Sequence, residues 1–487
     1  MNKKNIIIHL IQIILIIIFS ISLINKTVQN DTFFTIALGE RVLEYGIEKE
    51  EKLVWHEGLE YTNSRWLFDV TVSKIYNFFD WQGVYVFVMV CTVIQGLLLY
   101  TIINKITKKK FLAFISTLII MQLSANQFAA RSQIISFIIF IIEFYLVEKL
   151  VETNKNRYII ALAVLAFLLV NIHASVFPMY FVVYLPYVVS FIMQKLKIKT
   201  GEKLILEINY GIKLIISMVI SFLLGFCVPE GMSPYTDMFK AMGGVSTTFI
   251  SELQPLNITS GWIIFATIGI VIAIIAFTKT NVRVTDCLFI LGFALMALYT
   301  YRCCFFYYLI AGICITRILS DFIEEYNINF NFINSKLKLL IFVIIAIVVF
   351  IKGLNNLYVQ GRNDFIDSSK YPIGATEYIL NNINLEEMRI YNHFNFGSYL
   401  EVNGIKAFLD SRSGVFTEEF NPGVTILDEW LDVINGGVHY NELFEKYDIT
   451  HALLYNTELV QIYIYDDIEW NLIYQDDNFS LYEKVNK

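Results

Sequence analysis

Long apolar stretches recur from the first residues of the chain to about residue 354. Crossing the hydrocarbon core of a bilayer takes roughly 20 helical residues. Eleven stretches approach that length: 6–25, 82–104, 111–128, 133–147, 158–172, 176–194, 210–228, 259–277, 285–300, 303–319 and 339–354. Hydrophobic residues make up 56% of the chain and charged residues 17%, against about 45–50% and about 25% in soluble domains. The sequence therefore predicts a polytopic α-helical membrane protein with about eleven transmembrane helices.

Lysine and arginine residues are unevenly distributed among the connections between these stretches. If the N-terminus is cytoplasmic, the cytoplasmic segments carry 18 Lys or Arg residues. Apart from the loop 26–81, the external connections carry only Arg131, Lys240 and Arg302. Positive charge is enriched in cytoplasmic loops. We therefore expect a multi-pass plasma-membrane protein with a cytoplasmic N-terminus and, because the number of spans is odd, an extracytoplasmic C-terminal region.

The residues after the last apolar stretch differ in character from the rest of the chain. From Asn355 to the C-terminus there are 8 basic and 22 acidic residues, a net charge of −14. Helix and strand patterns alternate there, which is typical of a small α/β domain. Helices are expected near 373–383, 424–435 and 440–447. Strands are expected at 388–392, 405–409 and 450–455, and a hairpin at 470–474 and 479–484.

These patterns divide the chain into two predicted domains. The first is a transmembrane domain, 1–354, with long external loops at 26–81 and 229–258; the second is a soluble extracytoplasmic α/β domain, 355–487. Within the first loop, apolar residues from Trp66 to Phe79 recur at helical spacing, so we expect an amphipathic helix at the membrane interface. No basic face remains outside the membrane part, which argues against a nucleic acid partner.

Acidic residues in the two long external loops are candidates for proton transfer. Asp31 follows the first span by a few residues and precedes an apolar helical run, so it could also act as a helix N-cap. Glu252 closes the second long loop, and Glu40 and Asp69 lie further along the first. The alternative for Glu40 and Glu252 is a solvated surface acid.

Two isolated arginines and one histidine are expected at the outer ends of helices. Arg131 and Arg302 could reach toward lipid headgroups without a specific role, or could clamp a lipid phosphate with their paired N–H donors. His173 lies in a tight external turn, where it is either an interface residue or a contact to a metal or an acceptor.

Short motifs along most of the chain resemble those of the GT-C superfamily of membrane glycosyltransferases. They are most similar to a group of uncharacterised bacterial and archaeal members with a C-terminal extracytoplasmic α/β domain. The matching residues are Asp31 with Gly39, Trp66, Arg131-Ser132-Gln133, Asn171-Ile172-His173-Ala174, Glu252-Leu253-Gln254-Pro255, 391–400 and 408–412. Many loops of that group pair adjacent acids, whereas Asp31 is followed by Thr32 and two phenylalanines. This departure leaves open whether a divalent metal ion is required.

The resemblance implies glycosyl transfer on the outer face of the membrane, with Asp31 as the catalytic acid of the first loop. The implied donor is a polyprenyl-phosphate-linked sugar, and the acceptor is a glycan, lipid or protein. Arg302, and next Arg131, would stabilise the charge of the leaving lipid phosphate. The alternatives are a polysaccharide polymerase or ligase, or a transporter or lipid flippase, although no internal repeat supports transport.

The tail motif contains two charged residues with two interpretations. Asp410 and Arg412 follow an apolar strand pattern and are expected on one side of its end. They form either a structural ion pair within the α/β domain or a contact to the acceptor. Gly397, in the same set of motifs, suits a close backbone approach or a tight helix start.

Overall fold

The computed structural model describes residues 3–24, 27–206, 211–229, 231–328, 343–345, 347–351 and 365–485. The chain divides into two compact units. The first comprises Met1–Lys26, Tyr85–Tyr235 and Ile250–Asn363, and the second Thr27–Val84, Thr236–Phe249 and Asp364–Lys487. Most of the predicted loop 26–81 thus belongs to the same unit as the C-terminal region. The predicted domain boundary at 354/355 lies outside the described residues.

The first unit is built from apolar helices. Their bounds, in chain order, are Lys3–Ser22, the later part of Trp66–Thr107, Lys110–Leu123, Gln133–Thr153, Asn156–Ile172, Phe177–Lys195, Gly211–Leu224, Trp262–Phe277, Val284–Tyr299, Cys304–Phe306 and Gly312–Glu325. Short helical turns lie at Ala125–Gln127, Ala174–Val176 and Tyr301–Cys303, and a π-helical turn at Tyr307–Ala311 joins the last two helices. Two short parallel strands, β1 (Leu204–Ile205) and β2 (Val282–Arg283), pair with each other.

Helices lie at the first ten predicted spans, but their lengths differ. Within the described residues, three helices are long and apolar enough to cross a membrane: Trp66–Thr107, Ala174–Lys195 and Tyr301–Glu325. Six further apolar helices are shorter, at 10–17 residues. The eleventh predicted span, 339–354, is described only at 343–345 and 347–351, where the chain is helical. The number of membrane crossings stays a prediction.

The long helix Trp66–Thr107 is interrupted at Asp80. Asp80 has a φ of 55° and a ψ of −161°, which no helix accommodates. Its carboxylate accepts a hydrogen bond from the backbone N–H of Trp81, at 2.7 Å. Aspartate tolerates positive φ better than most residues because its short polar side chain bonds locally. The break separates the predicted amphipathic helix from the predicted span 82–104.

A buried ion-pair cluster lies among the helices of the first unit. Arg317 donates to Glu148 at 3.0 Å and to Asp286 at 2.8 Å. Glu148 also accepts from the hydroxyl of Tyr187, at 2.8 Å. The four residues come from four different helices, so the cluster ties those helices together. From the sequence, Arg317 is one of the 18 cytoplasmic basic residues that orient the chain, and nothing there predicts its buried partners.

The second unit contains an α/β arrangement in its C-terminal region. A four-stranded sheet within the described residues consists of β3 (Ile390–Asn392), β4 (His451–Tyr455), β5 (Trp470–Gln475) and β6 (Phe479–Lys484), in the order β3-β4-β6-β5. β3 pairs with β4 in parallel, and the other pairs are antiparallel. The helices of this unit are Asn30–Tyr45, the first part of Trp66–Thr107, Ser246–Phe249, Ile373–Asn382, Gly397–Val402, Ile426–Ile434, Tyr440–Lys446 and Leu459–Ile464. The helix Ser233–Gly243 begins in the first unit and ends in the second, and a short turn lies at Ser413–Phe416.

The strand predicted at 405–409 is wrong. Ala407 instead makes an isolated parallel bridge to Val54 in the first predicted loop. The neighbouring backbone groups bond to Asn392, whose amide accepts from the N–H of Phe408 at 2.7 Å and donates to the carbonyl of Leu409 at 2.9 Å. The partners of this segment are therefore a loop and a side chain rather than a neighbouring strand.

Candidate functional site

Arg131, Glu252 and Arg302 form a charged group in the first unit, called here the arginine–glutamate cluster. Arg131 lies just before the helix Gln133–Thr153, and Arg302 lies in the helical turn Tyr301–Cys303. Two nitrogens of Arg131 donate to the two carboxylate oxygens of Glu252, at 2.9 and 3.3 Å. Arg302 approaches the second of these oxygens at 3.5 Å. Three residues that the sequence analysis named separately are thus brought together.

Backbone hydrogen bonds fix the position of Glu252 independently of its carboxylate. The carbonyl of Glu252 accepts from the N–H of Arg302 at 2.9 Å and from the hydroxyl of Thr300 at 3.2 Å. The carbonyl of Gln254 accepts from the N–H of Tyr301, also at 2.9 Å. The end of the second predicted loop is therefore held against the turn that carries Arg302.

The cluster is partly open, and two guanidinium groups lie around its one carboxylate. The side chains of Arg131, Glu252 and Arg302 are 12%, 28% and 41% exposed. Burial by itself raises the pKa of Glu252, but the charges of Arg131 and Arg302 outweigh this effect and hold the pKa below its usual range. Guanidinium groups are also suited to the binding of a phosphate.

His173 lies elsewhere in the first unit. It is buried, ends the helix Asn156–Ile172, and has its Nδ1 2.9 Å from the hydroxyl oxygen of Ser136. The described residues include no group of three or more His, Cys, Asp or Glu side chains arranged to hold a metal ion. A metal-binding or acceptor-binding role of His173 stays a prediction.

Asp31 lies in the first turn of the helix Asn30–Tyr45, called here the Asp31 helix. Gln29 is the N-cap residue, so the alternative interpretation of Asp31 as the cap is wrong. At the second position of the helix, a carboxylate is favoured by the positive end of the helix dipole. Asp31 is partly buried, whereas the eight residues that follow it are buried. The carboxylate thus lies at the edge of a packed region.

Residues of the C-terminal region hold the start of the Asp31 helix. The side-chain amide of Asn30 donates to the carbonyl of Phe394 at 3.1 Å. The ring of Phe33 lies edge-on to those of Tyr371 and Tyr399, with centroids 4.8 and 5.2 Å apart. Burial raises the pKa of Tyr371, and the charge of Asp31 is among the groups that raise it further.

The two other acids of the first loop differ in environment. Glu40 is exposed on the Asp31 helix. Asp69 is fully buried, with Arg65 3.4 Å away. Burial raises the pKa of Asp69 to about 6, against the opposing charge of Arg65. Asp69 lies in the helical segment that precedes the Asp80 break, outside the predicted span 82–104. A role for either residue as a second catalytic acid stays a prediction.

Asp410 and Arg412 belong to a buried group with Glu51 and Glu401, called here the Arg412 cluster. Arg412 donates to Glu51 at 2.6 Å, to Glu401 at 3.1 Å and to Asp410. All four residues are buried. These contacts favour the ion-pair interpretation of the tail motif, although contact with an acceptor is not tested.

Two members of the Arg412 cluster, Glu51 and Glu401, were not identified from the sequence. Glu51 lies in the charged run 48–52, where nothing distinguishes it from a solvated surface residue. Glu401 directly follows the motif 391–400 and is the one charged residue between Arg389 and Lys406, and this isolation is the one signal that could have identified it.

Solved structures resemble this chain along most of its length. A crystal structure of an oligosaccharyltransferase from Archaeoglobus fulgidus, tethered through a disulfide bond to an acceptor peptide with the NVT sequon, has a TM-score of 0.58 and 9% sequence identity. The match covers 92% of this chain and 69% of that one. ArnT from Cupriavidus metallidurans in the apo state has a TM-score of 0.55 and 10% identity over 99% of both chains.

The same ArnT, bound to undecaprenyl phosphate, has a TM-score of 0.55 and 9% identity, covering 100% of this chain and 99% of that one. No protein-family model and no curated protein sequence matches this chain. At identities of 9–10% the similarity concerns the fold.

Proposed function

We propose that this chain, which has the fold of the GT-C superfamily of membrane glycosyltransferases, transfers a sugar from a polyprenyl-phosphate donor to an acceptor hydroxyl or amide. The reaction would take place on the outer face of the plasma membrane. The observation that carries the proposal is the arginine–glutamate cluster, where two guanidinium groups lie around one partly exposed carboxylate. Its two guanidinium groups fit the phosphate of such a donor. The complex of ArnT with undecaprenyl phosphate supports the same ligand class.

The proposed chemistry divides between Asp31 and the two arginines. The bond between the anomeric carbon and the phosphate oxygen breaks, and the acceptor forms a new bond to that carbon. Asp31 takes the proton of the acceptor as general base. Arg131 and Arg302 stabilise the negative charge that develops on the departing polyprenyl phosphate.

The test of the base is Asp31→Asn in the purified full-length chain. Release of undecaprenyl phosphate is measured with a panel of undecaprenyl-phosphate-linked sugars and candidate acceptors. We expect transfer to fall about 100-fold or more, since a positioned general base contributes roughly 10²–10⁴-fold. Glu44→Gln is the matched control, because Glu44 is an exposed acid on the same helix. If Asp31→Asn keeps most of its activity, Asp31 is not the base.

The test of phosphate binding compares Arg302→Ala with Arg302→Lys. Lysine keeps the charge but lacks the planar pair of donors, so we expect affinity for undecaprenyl phosphate in the order wild type, Lys, Ala. Equal affinity of all three proteins would contradict the assignment of Arg302.

The same assays separate the other candidate activities. A flippase would move the lipid without releasing undecaprenyl phosphate, and a polymerase or ligase would give long-chain products. Repeating the transfer assay with EDTA tests the metal requirement that the sequence leaves open.

A further inference from the structure

The carboxylate of Glu252 lies against the two arginines to which, in the proposed function, the donor phosphate binds. Its two carboxylate oxygens accept from Arg131 at 2.9 and 3.3 Å, and one of them lies 3.5 Å from Arg302. A phosphate that binds both guanidinium groups has to share them with this carboxylate or replace it. From the sequence, Glu252 is a candidate second catalytic acid. In the structure, its carboxylate instead binds the arginines that the donor phosphate would bind.

The competition affects donor and product differently because their charges differ. A donor phosphodiester carries about one negative charge, whereas a phosphate monoester carries about −1.5 to −2 at pH 7. The Glu252 carboxylate repels an anion that is bound to the two guanidinium groups. This repulsion is stronger for the polyprenyl phosphate that remains after transfer than for the singly charged donor.

The loop can keep its place while the carboxylate turns away. The carbonyl of Glu252 is held by the N–H of Arg302 at 2.9 Å and by the hydroxyl of Thr300 at 3.2 Å, and neither bond involves the carboxylate. The side chain can therefore leave the guanidinium groups as charge grows on the phosphate, and return afterwards without refolding of the loop.

We infer that Glu252 is a positioning residue that discriminates between donor and product. Its negative charge weakens the hold of the two arginines on an anion, so that they bind the donor but release the polyprenyl phosphate product. This inference rests on the proposed function. Glu252 acts through Arg131 and Arg302, and it need not contact the reacting atoms.

The test measures binding of undecaprenyl phosphate to the purified full-length chain and to Glu252→Gln. Gln removes the competing charge while retaining a similar shape, so we expect about tenfold tighter binding of undecaprenyl phosphate, because a like charge next to the bound anion is gone. Glu252→Asp keeps the charge and should bind like the wild type. Glu202→Gln, at an exposed acid of the first unit, removes one negative charge outside the cluster and should change nothing.

Kinetic measurements with an active donor distinguish this role of Glu252 from a purely structural one. We expect Glu252→Gln to lower kcat and to strengthen inhibition by undecaprenyl phosphate, while KM for the donor stays equal or falls. Unchanged or weaker binding of undecaprenyl phosphate would overturn the inference. So would tighter binding of inorganic phosphate alone, or loss of folded protein in both Glu252→Gln and Glu252→Ala.

The failure of this inference is distinguishable from failure of the proposed function. If the wild type does not bind undecaprenyl phosphate, or binds it independently of Arg302, the proposed function fails and the inference fails with it. If the wild type binds it through Arg302 but Glu252→Gln binds no more tightly, only the role given to Glu252 fails.

Discussion

Arg412 faces three carboxyl groups inside the second unit, and two of them, Asp410 and Glu401, have pKa values shifted in opposite directions. Burial would raise the pKa of Asp410, but the charge of Arg412 and the hydrogen bonds that Asp410 accepts hold it below its usual range. Burial and the nearby charge of Asp410 raise the pKa of Glu401 well above its usual range. Of the two, Glu401 therefore holds a proton more readily, and Asp410 is the acid whose charge is paired with Arg412.

Because the pKa values of Glu401 and Asp410 are shifted in opposite directions, we expect the two matching amide substitutions to differ in their effect on stability. Glu401→Gln keeps the size of the side chain that holds a proton more readily, so the free energy of unfolding at pH 7 should change by less than about 1 kcal/mol. Asp410→Asn removes a buried partner of Arg412 and should cost about 2–4 kcal/mol. Thermal unfolding of the full-length chain in detergent measures both.

The Asp410→Asn protein also separates the two interpretations of the tail motif. A clear fall in melting temperature, with normal transfer at low temperature, is expected from the ion-pair role. An unchanged melting temperature with impaired use of the acceptor would contradict that role and favour contact with the acceptor.

Individual candidate site residues were predictable from the sequence where a charged residue stands apart from other charges. Arg131 and Arg302 stand alone among apolar neighbours, and Glu252 precedes a proline in a long loop. That the three form one cluster was not predictable, because 121 residues separate Arg131 from Glu252. Periodicity and spacing report on one element at a time, whereas this pairing depends on tertiary packing.

At the scale of elements, two glycines of the matching motifs lie at close contacts. A Cβ at Gly39 would collide with the backbone carbonyl of Asp69 and the Cβ of Ser73, so the Asp31 helix approaches the helix that begins at Trp66 too closely for any side chain. A Cβ at Gly397 would collide with the carbonyl of Leu409. The close backbone approach expected at Gly397 is confirmed.

Gly39→Ala should therefore destabilise the chain although alanine is the better helix former. The added methyl has to displace backbone atoms, and overpacking of this kind costs about 1–3 kcal/mol. Gly269→Ala is the matched control, because a Cβ there meets nothing within 4 Å and the residue lies inside the helix Trp262–Phe277. The melting temperature should fall for Gly39→Ala and stay equal or rise for Gly269→Ala. Equal effects of both would contradict the close contact.

Element prediction succeeded where periodicity is strong and failed where partners are irregular. The helix near 373–383 and the hairpin at 470–474 and 479–484 correspond closely to Ile373–Asn382 and to β5 and β6. The Asp31 helix was expected only as an apolar run after Asp31. The segment 405–409 has the alternation of a strand but bonds to a loop, and no local pattern encodes that partner.

At the scale of the whole molecule, a polytopic helical fold was predictable from the apolar stretches together with the motifs, and the solved oligosaccharyltransferase and ArnT structures share the fold of this chain. The compact units were not predictable from hydropathy. Most of the first predicted loop is grouped with the C-terminal region, through contacts such as that between Asn30 and Phe394. Hydropathy separates apolar from polar segments but carries no information on which polar segments fold together.

The orientation of the chain in the membrane is the remaining prediction at this scale. Cytoplasmic segments carry 18 Lys or Arg residues if the N-terminus is inside, and eleven crossings then place the C-terminus outside. An alkaline phosphatase fusion at the C-terminus should be active, and a fusion after Lys110, in a predicted cytoplasmic loop, should be inactive. An inactive C-terminal fusion would mean an even number of crossings or an inverted chain. A fusion after Thr62 separates these cases, because the loop with Asp31 stays outside only if the first helix keeps its predicted direction.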